Sequence, residues 1–340
     1  AYTTIDDPEA HFQVKTYTGN STDDTAITLD GTNNLQPDMV WFKSRSAAIN
    51  HVLVDSVRGV TKYLTSNDTS GEATVSDALK SFDSDGFTLD EDATTSSAFV
   101  NGTGKTYVAW CWKESATAGF DIVLYTGNGT DDTDISHSLS AVPHVMILKV
   151  RDVAGEQWKV YHHKNTSAPE TDFLRLEDTA ATSDDATVWS DEVPTSSVFT
   201  LGNTNGINEN TKLFVAYLWS EKQGFSKFGS YTGNGNVDAP FLFCGFEPAW
   251  CMIKRTDSAQ PWEIFDNKRS TSGGFNEIDK SISADNANAE DTSTDYDDVD
   301  FVSNGVKIRE DNDDINASGG SYIFMAFARS PFVNSNGVPC

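Results

Sequence analysis

Carboxylates are the side chains this sequence offers most often for chemistry. Asp131, Asp132 and Asp134 crowd into "GNGTDDTDI", and Asp311, Asp313 and Asp314 into "REDNDDIN". Calcium takes roughly six to eight oxygens from carboxylates and loop carbonyls, so both loops are candidate Ca2+ sites, and calcium is the one cofactor suggested. Neither loop has the glycine and glutamate spacing of an EF-hand. Further acidic pairs occur at Asp23-Asp24, Asp184-Asp185 and Asp297-Asp298 with Asp300. Acid spread over so many loops reads first as solvated surface that discourages edge-to-edge association. The six histidines build no HExxH, and their densest spot, His162-His163, follows Tyr161 at what reads as a strand end.

Glu277 and Asp279 alternate in "NEIDKSI" and would share one face of a strand. The stretch resembles the start of the acid-alternation motif of laminarinase-type hydrolases, whose chemistry needs two carboxylates flanking a sugar bond. Ile282 stands where that motif places a third acid. A polysaccharide hydrolase is therefore the third-ranked reading, behind two non-enzymatic ones. No GxSxG elbow or phosphate-binding glycine loop is present.

The charge balance narrows the partners. Against 51 Asp and Glu stand 24 Lys and Arg, a formal charge of -27 in 340 residues. Such a field repels phosphate backbones and anionic lipid, which excludes nucleic acid and membrane insertion as expectations. Cys111, Cys244, Cys251 and Cys340 are too sparse for a disulfide framework and form no CxxC pair, so they read as reduced core thiols. The opening "AYTTIDDPEAHF" does not read as a signal peptide, so folding in a cytosol is expected. The Asn-x-Ser/Thr triplets at Asn20, Asn67, Asn101, Asn128, Asn165 and Asn316 read as composition.

What must position any site is a threefold repeat. "YTGN" begins at Tyr17, Tyr125 and Tyr231, spacings of 108 and 106 residues. After each comes a proline and an apolar run ending in a base: "PDMVWFKSR", "PHVMILKVR" and "PAWCMIKR". Then come "HVLVD", "WKVYH" and "WEIFD", and finally the aromatic runs "YVAWCWK", "FVAYLWS" and "IFMAFAR". Blocks in one order at that period are the size of small domains. The short β-branched and aromatic runs between Gly, Asn, Asp and Ser read as strands throughout. The expected fold is all-β: three tandem homologous, jelly-roll-like β-sandwiches at 1–118, 119–223 and 224–340, the last with a short C-terminal tail. In "YVAWCWK" both alternating sets are apolar, so that strand must be covered on both faces, the outer cover being a neighbouring copy. "FDSDGFTL" and "FVSNGVKI" predict two-residue hairpins at Asp85-Gly86 and Asn304-Gly305, with no counterpart in the second copy. The YTGN tyrosines are expected to put their rings on the core, with Gly and Asn taking left-handed turn dihedrals. The turn could also present a ligand site, which makes Tyr17, Asn20, Tyr125, Asn128, Tyr231 and Asn234 candidate ligand-binding residues. Trp189, in the loop-like "DATVWSDEVP", is the aromatic expected to be exposed for the same purpose.

Taken together, "SVRGVTKYL", "FDSDGFTL", "YVAWCWKE", "GFSKFGSYTGNG", "EPAWCMIKRTDS" and "DINASGGSYIFMAFARSPFVNSNGVPC" resemble uncharacterised virion-associated proteins of tailed, mostly marine, bacteriophages, from His11 to Cys340. The resemblance implies a non-enzymatic structural protein on the virion surface, made in the host bacterial cytoplasm and extracellular as part of the particle. A tail fibre, knob or spike that mediates host attachment leads, and a capsid decoration or cement protein is the alternative. Other virion proteins, a host-surface glycan and further copies of the chain are the expected partners. No shaft heptads or collagen triplets occur, which favours a globular knob or decoration.

Overall fold

Runs rich in Val, Ile, Phe, Tyr and Trp that alternate in-out cannot satisfy both their backbone and their side chains alone, so they pair into sheets. The computed structural model describes residues 3–93, 99–270, 276–291 and 299–340; Asp297 and Asp298 lie outside them. Its strands are antiparallel and the fold is all-β, with a single α-helical turn at Asn205–Asn208 and two 3-10 turns among the described residues.

Each copy of the repeat contributes a sheet with the same strand order. In the first, Phe12–Thr18 pairs with Thr106–Trp112, which pairs with Met39–Ser44, which pairs with Val52–Asp55. The second runs Phe120–Thr126, Leu213–Trp219, Val145–Val150, Lys159–His162. The third runs Ser226–Thr232, Ser321–Pro331, Phe246–Arg255, Trp262–Asp266, with Ile282–Ser283 added. Even the register is kept: Tyr17 faces Tyr107, Tyr125 faces Phe214 and Tyr231 faces Tyr322.

A smaller outer layer covers one face of each sheet. In the first copy it is Thr25–Thr28, Gly86–Leu89 and Leu79–Asp83. Ile27, Phe42, Phe87, Ala109 and Cys111 are packed between the layers. Thr133–Ser136 with Val198–Leu201 does the same in the second copy, and Phe241–Phe243 with Gly305–Ile308, Val299–Val302 and Glu277–Ile278 in the third. The expected hairpins form one residue earlier than the dipeptides suggest. Asp83 pairs with Gly86 and Val302 with Gly305, so Ser84-Asp85 and Ser303-Asn304 turn the chain. Gly86 takes φ 111, so both dihedral and space call for glycine there, while at Gly305 space alone does. A Cβ would lie 2.1 Å from the Ile27 carbonyl at Gly86 and 2.1 Å from the Leu242 carbonyl at Gly305, so the neighbouring strand demands their absence of a side chain.

The other face of each sheet meets the other two copies. Val108, Trp110 and Trp112 share one continuous core with Val145, Ile147, Val215, Tyr217 and Trp219, and with Phe228, Trp250, Met252, Met325 and Phe327. Trp112 lies 6.3 Å from Trp219, 5.7 Å from Trp250 and 5.7 Å from Phe327, ring centre to ring centre, all edge-to-face. That is the favoured geometry for aromatic quadrupoles.

Polar contacts close the same arrangement into a ring. Trp158 Nε1 of the second copy donates to the Thr65 carbonyl of the first at 2.9 Å. Trp262 Nε1 of the third donates to the Arg175 carbonyl of the second at 2.7 Å. His51 stands at the equivalent position of the first copy, and its Nε2 lies 3.0 Å from the Ser283 carbonyl of the third. Since its Nδ1 accepts from Trp41 Nε1, Nε2 is the protonated nitrogen and donates. Each copy thus leans on the one before it, and the first leans on the last.

The junction between the first two copies carries a raised carboxyl, Glu114. Burial, then a hydrogen bond that protonated Glu114 donates to the neighbouring Asp121 carboxylate, pushes Glu114 up to about 7. A carboxyl raised in the folded state binds its proton there while the unfolded chain has released it, between the usual glutamate range and about 7. Its contribution is therefore present at low pH and lost as pH rises through that window. Glu114→Gln should gain stability relative to the parent on going from pH 5 to pH 8, read from denaturant midpoints. Parallel pH curves for the two proteins would contradict this assignment.

Candidate functional site

The tyrosine of each YTGN turn ends the sheet's first strand with its ring stacked on the aromatic opposite. Ring centres are 5.3 Å apart for Tyr17–Tyr107, 5.0 Å for Tyr125–Phe214 and 4.9 Å for Tyr231–Tyr322. Each hydroxyl donates to a backbone carbonyl: Val100, Ile207 and Ile315. The residue after each of those is an asparagine, Asn101, Asn208 or Asn316, with at most trace exposure. Its Oδ1 accepts from the turn asparagine's N–H, at 3.0 Å for Asn20, 2.9 Å for Asn128 and 2.8 Å for Asn234. Its Nδ2 donates to two carbonyls across the loop, Thr22 and Asp90, Thr130 and Gly202, or Asn236 and Glu310. One buried amide thus satisfies three backbone groups, which otherwise cost about 1–3 kcal/mol each when unpaired.

The glycine of YTGN is required by proximity and not by dihedral. A Cβ at Gly19, Gly127 or Gly233 would sit 2.5, 2.3 or 2.3 Å from a carbonyl oxygen of the asparagine loop. The left-handed residue is the one after the turn asparagine: Ser21 at φ 49, Gly129 at 68 and Gly235 at 61. The turn asparagines are used locally as well. Asn20 Oδ1 accepts from Thr22 N and Thr25 Oγ1, and Asn128 Oδ1 from Thr130 N and Thr133 Oγ1. Asn234 Oδ1 accepts from Asn236 N. Tyr17, Asn20, Tyr125, Asn128, Tyr231 and Asn234 are thereby anchors of the turn, and what they hold out is the tip beyond. Residues 20–24, 128–132 and 234–238 are all exposed except where the strand resumes.

Trp189 is not the exposed aromatic that its loop-like surroundings suggest. It is 1% exposed, donates from Nε1 to the Asp172 carbonyl at 2.9 Å and packs edge-to-face on Tyr161. A large apolar ring with a buried hydrogen-bond partner makes it core, and the remaining seven tryptophans are buried too.

Four of the candidate calcium residues have partners within the protein. Asp131 and Asp132 both accept from Ser190 Oγ, and Asp134 accepts from Thr200 Oγ1. Asp313 lies 3.8 Å from Arg255. Burial, then the charge of Asp313, pushes Asp314 above the usual carboxylate range. Among the described residues no group of three or more His, Cys, Asp or Glu is gathered as a metal site. His163 meets both His162 and His144, with ring centres 5.4 and 4.5 Å away. Their nitrogens serve the backbone: His162 Nδ1 accepts from Lys164 N while Nε2 donates to the Phe324 carbonyl, His163 Nε2 meets the Phe228 carbonyl, and His144 Nδ1 accepts from Glu221 N. Glu277 is exposed on its short strand, and Asp279 pairs with Lys280 at 3.3 Å.

Sequence reasoning passed over the most buried ionisable groups. Lys43, Lys149 and Lys254, the base ending each apolar run, are 0% exposed. Lys254 Nζ donates to the carbonyls of Thr179, Arg255 and Gln260 at 3.1, 2.8 and 2.8 Å, the first belonging to the second copy. Lys149 reaches the Thr69 carbonyl of the first copy at 3.2 Å and that of Glu156. Burial pushes Lys43 down to about 7 and the other two to about 8. The arginines two positions on from Lys43 and Lys149 cross boundaries between copies: Arg45 forks onto Glu290 at 2.8 and 3.0 Å, and Arg151 onto Glu72 at 2.8 and 3.0 Å. Chain spacing held a signal for the asparagines, since each precedes the stacked aromatic of the closing strand by six residues.

Residues 7–331 match the family model of a domain of unknown function, DUF7483, and the chain belongs to that family. No match was found among curated proteins or among solved structures.

The division of labour in the turn is testable by two substitutions one residue apart. Gly127→Ala should destabilise by several kcal/mol in denaturant unfolding, because its Cβ meets backbone that has no room to give. Asn128→Ala removes only exposed side-chain bonds and should cost about 1 kcal/mol. Equal costs would refute the assignment of the glycine to close approach.

Proposed function

We propose that this member of the family is three copies of one β-sandwich unit, divided near residues 118 and 223, fused into a single-chain pseudo-trimer. In this reading it serves as a non-enzymatic module on the surface of a bacteriophage virion and contacts host-surface glycan as a knob, spike or fibre tip. The observation that carries it is how the repeated residues are spent. Tyr, Gly and Asn of each turn, the inner tryptophans and the buried lysines hold the body together. The exposed tips that they hold out vary between copies: "NSTDD", "NGTDD" and "NGNVD". A rigid body with variable loops is the usual arrangement of a recognition protein. The virion setting rests on the resemblance of the sequence to phage virion-associated proteins.

The same threefold body also fits a capsid decoration protein, because a pseudo-threefold cap matches threefold points of a capsid lattice. One experiment separates the two. The protein is located on particles by antibody labelling in electron microscopy, and particles lacking it are assayed for adsorption and heat resistance. Tail labelling with lost adsorption supports attachment. Labelling of the head in lattice numbers with lower heat resistance supports decoration. Unlabelled particles would overturn both.

A further inference from the structure

The outer layer of the third copy departs from the repeat at one place. Register places Phe241 opposite Lys307 and Phe243 opposite Gly305 on its edge strand. The matching positions are Ala26 and Thr28 in the first copy, and Asp134 and Ser136 in the second. Solvent-facing small or polar residues have thus become two phenylalanines, 44% and 61% exposed. With Phe332, 42% exposed, they are the exposed aromatic rings among the described residues. In a chain that buries eight tryptophans, this is a specific exception.

Phe243 and Phe332 line a cleft of about 340 Å³ together with Cys244, Glu221, Ser226 and Lys227. The size suits one or two sugar rings, at the small end of ligand sites. Gly245, at φ 79, bends the chain between the rings, and its carbonyl accepts from Phe332 N, which fixes the two rims together. Glu221 Oε1 accepts from Lys227 Nζ at 2.8 Å, and its Oε2 accepts from Phe228 N at 3.2 Å. A carboxylate and an ammonium side by side can each take one end of a hydroxyl: the ammonium donates to its oxygen and the carboxylate accepts its hydrogen. A phenyl face attracts the polarised C–H groups of a pyranose through its negative quadrupole.

We infer that this cleft binds a neutral saccharide, stacked on Phe243 and Phe332 and held by the Glu221–Lys227 pair. An acidic sugar is disfavoured by the carboxylate and by the overall charge of -27. The inference deepens the attachment reading and rests on it for its biological meaning, though not for its chemistry.

The test is saturation-transfer NMR on the full chain with methyl glycosides of glucose, galactose, N-acetylglucosamine and glucuronate. At least one neutral glycoside should receive transfer and the glucuronide none. Phe243→Ala and Phe332→Ala should each weaken binding about tenfold, Glu221→Gln should weaken it too, and Val193→Ala, an exposed residue of the second copy, should not. Near-ultraviolet circular dichroism checks that the variants stay folded. Undiminished binding by both phenylalanine variants overturns the cleft assignment, and so does parent protein that binds no neutral glycoside. If the parent fails to bind but particles lacking it lose adsorption, the cleft falls and attachment stands. If the parent binds but such particles adsorb normally, attachment falls and the cleft stands.

Discussion

A sheet with tryptophan on its outer face cannot be left to water, and that constraint organises the molecule. Trp110 and Trp112 are at most 2% exposed although they lie on the side of the sheet away from their own outer layer. Burying a large aromatic contributes roughly 1.5–3 kcal/mol, and here the covering surface comes from sequence about a hundred residues away. One copy alone would expose this face as a broad apolar patch; three copies cover one another. The outer layers of the first two copies, with their own cores, are built on that foundation, and that of the third is continuous with the shared core.

Covering the face buries polar groups with it, and the three boundaries solve this with related but unequal chemistry. Tyr217 donates to Asp55 at 2.7 Å, beside the Asp55–Arg58 pair, which is fully buried. Trp110 Nε1 donates to Asp266 at 2.9 Å, beside the equally buried Asp266–Arg269 pair. At the third boundary the same strand position is Met325, which has no donor to give. There the acid is replaced by His162, a neutral ring that donates to the Phe324 carbonyl instead. Burial, then the charges of His163 and its neighbours, pushes His162 down to about 3, so it carries no charge that would need a partner. Losing one member of a buried ion pair costs about 3–5 kcal/mol, so the donor, the acid and the arginine have to change together.

Much of this was legible in the sequence where the signal is periodic. The all-β class followed from short alternating runs, and two-sided burial of "YVAWCWK" from its two apolar alternations. The hairpins were seen but placed one residue late, because the glycines follow the two turn residues; Gly86 still takes a positive φ, while Gly305 is there only for the close approach of the neighbouring strand. Trp189 was misjudged because Asp, Ser and Glu on either side look like a loop, while burial of that loop under Tyr161 is a tertiary fact. Lys43, Lys149 and Lys254 read as strand-end bases, since nothing local announces their burial, nor the carbonyl that another copy supplies to Lys149 and to Lys254. The Phe241–Phe243 strand became meaningful only once register showed which residues it replaces.

The central claim is that the three copies stand or fall together because they share one core and close one ring. Differential scanning calorimetry of the whole chain tests it most directly, by comparing the calorimetric unfolding enthalpy with the van't Hoff enthalpy. A single transition with a ratio near ~1 is the expected result for one cooperative unit. Three resolved transitions, or a ratio near ~3, would mean that the copies unfold independently and that the shared core does not couple them.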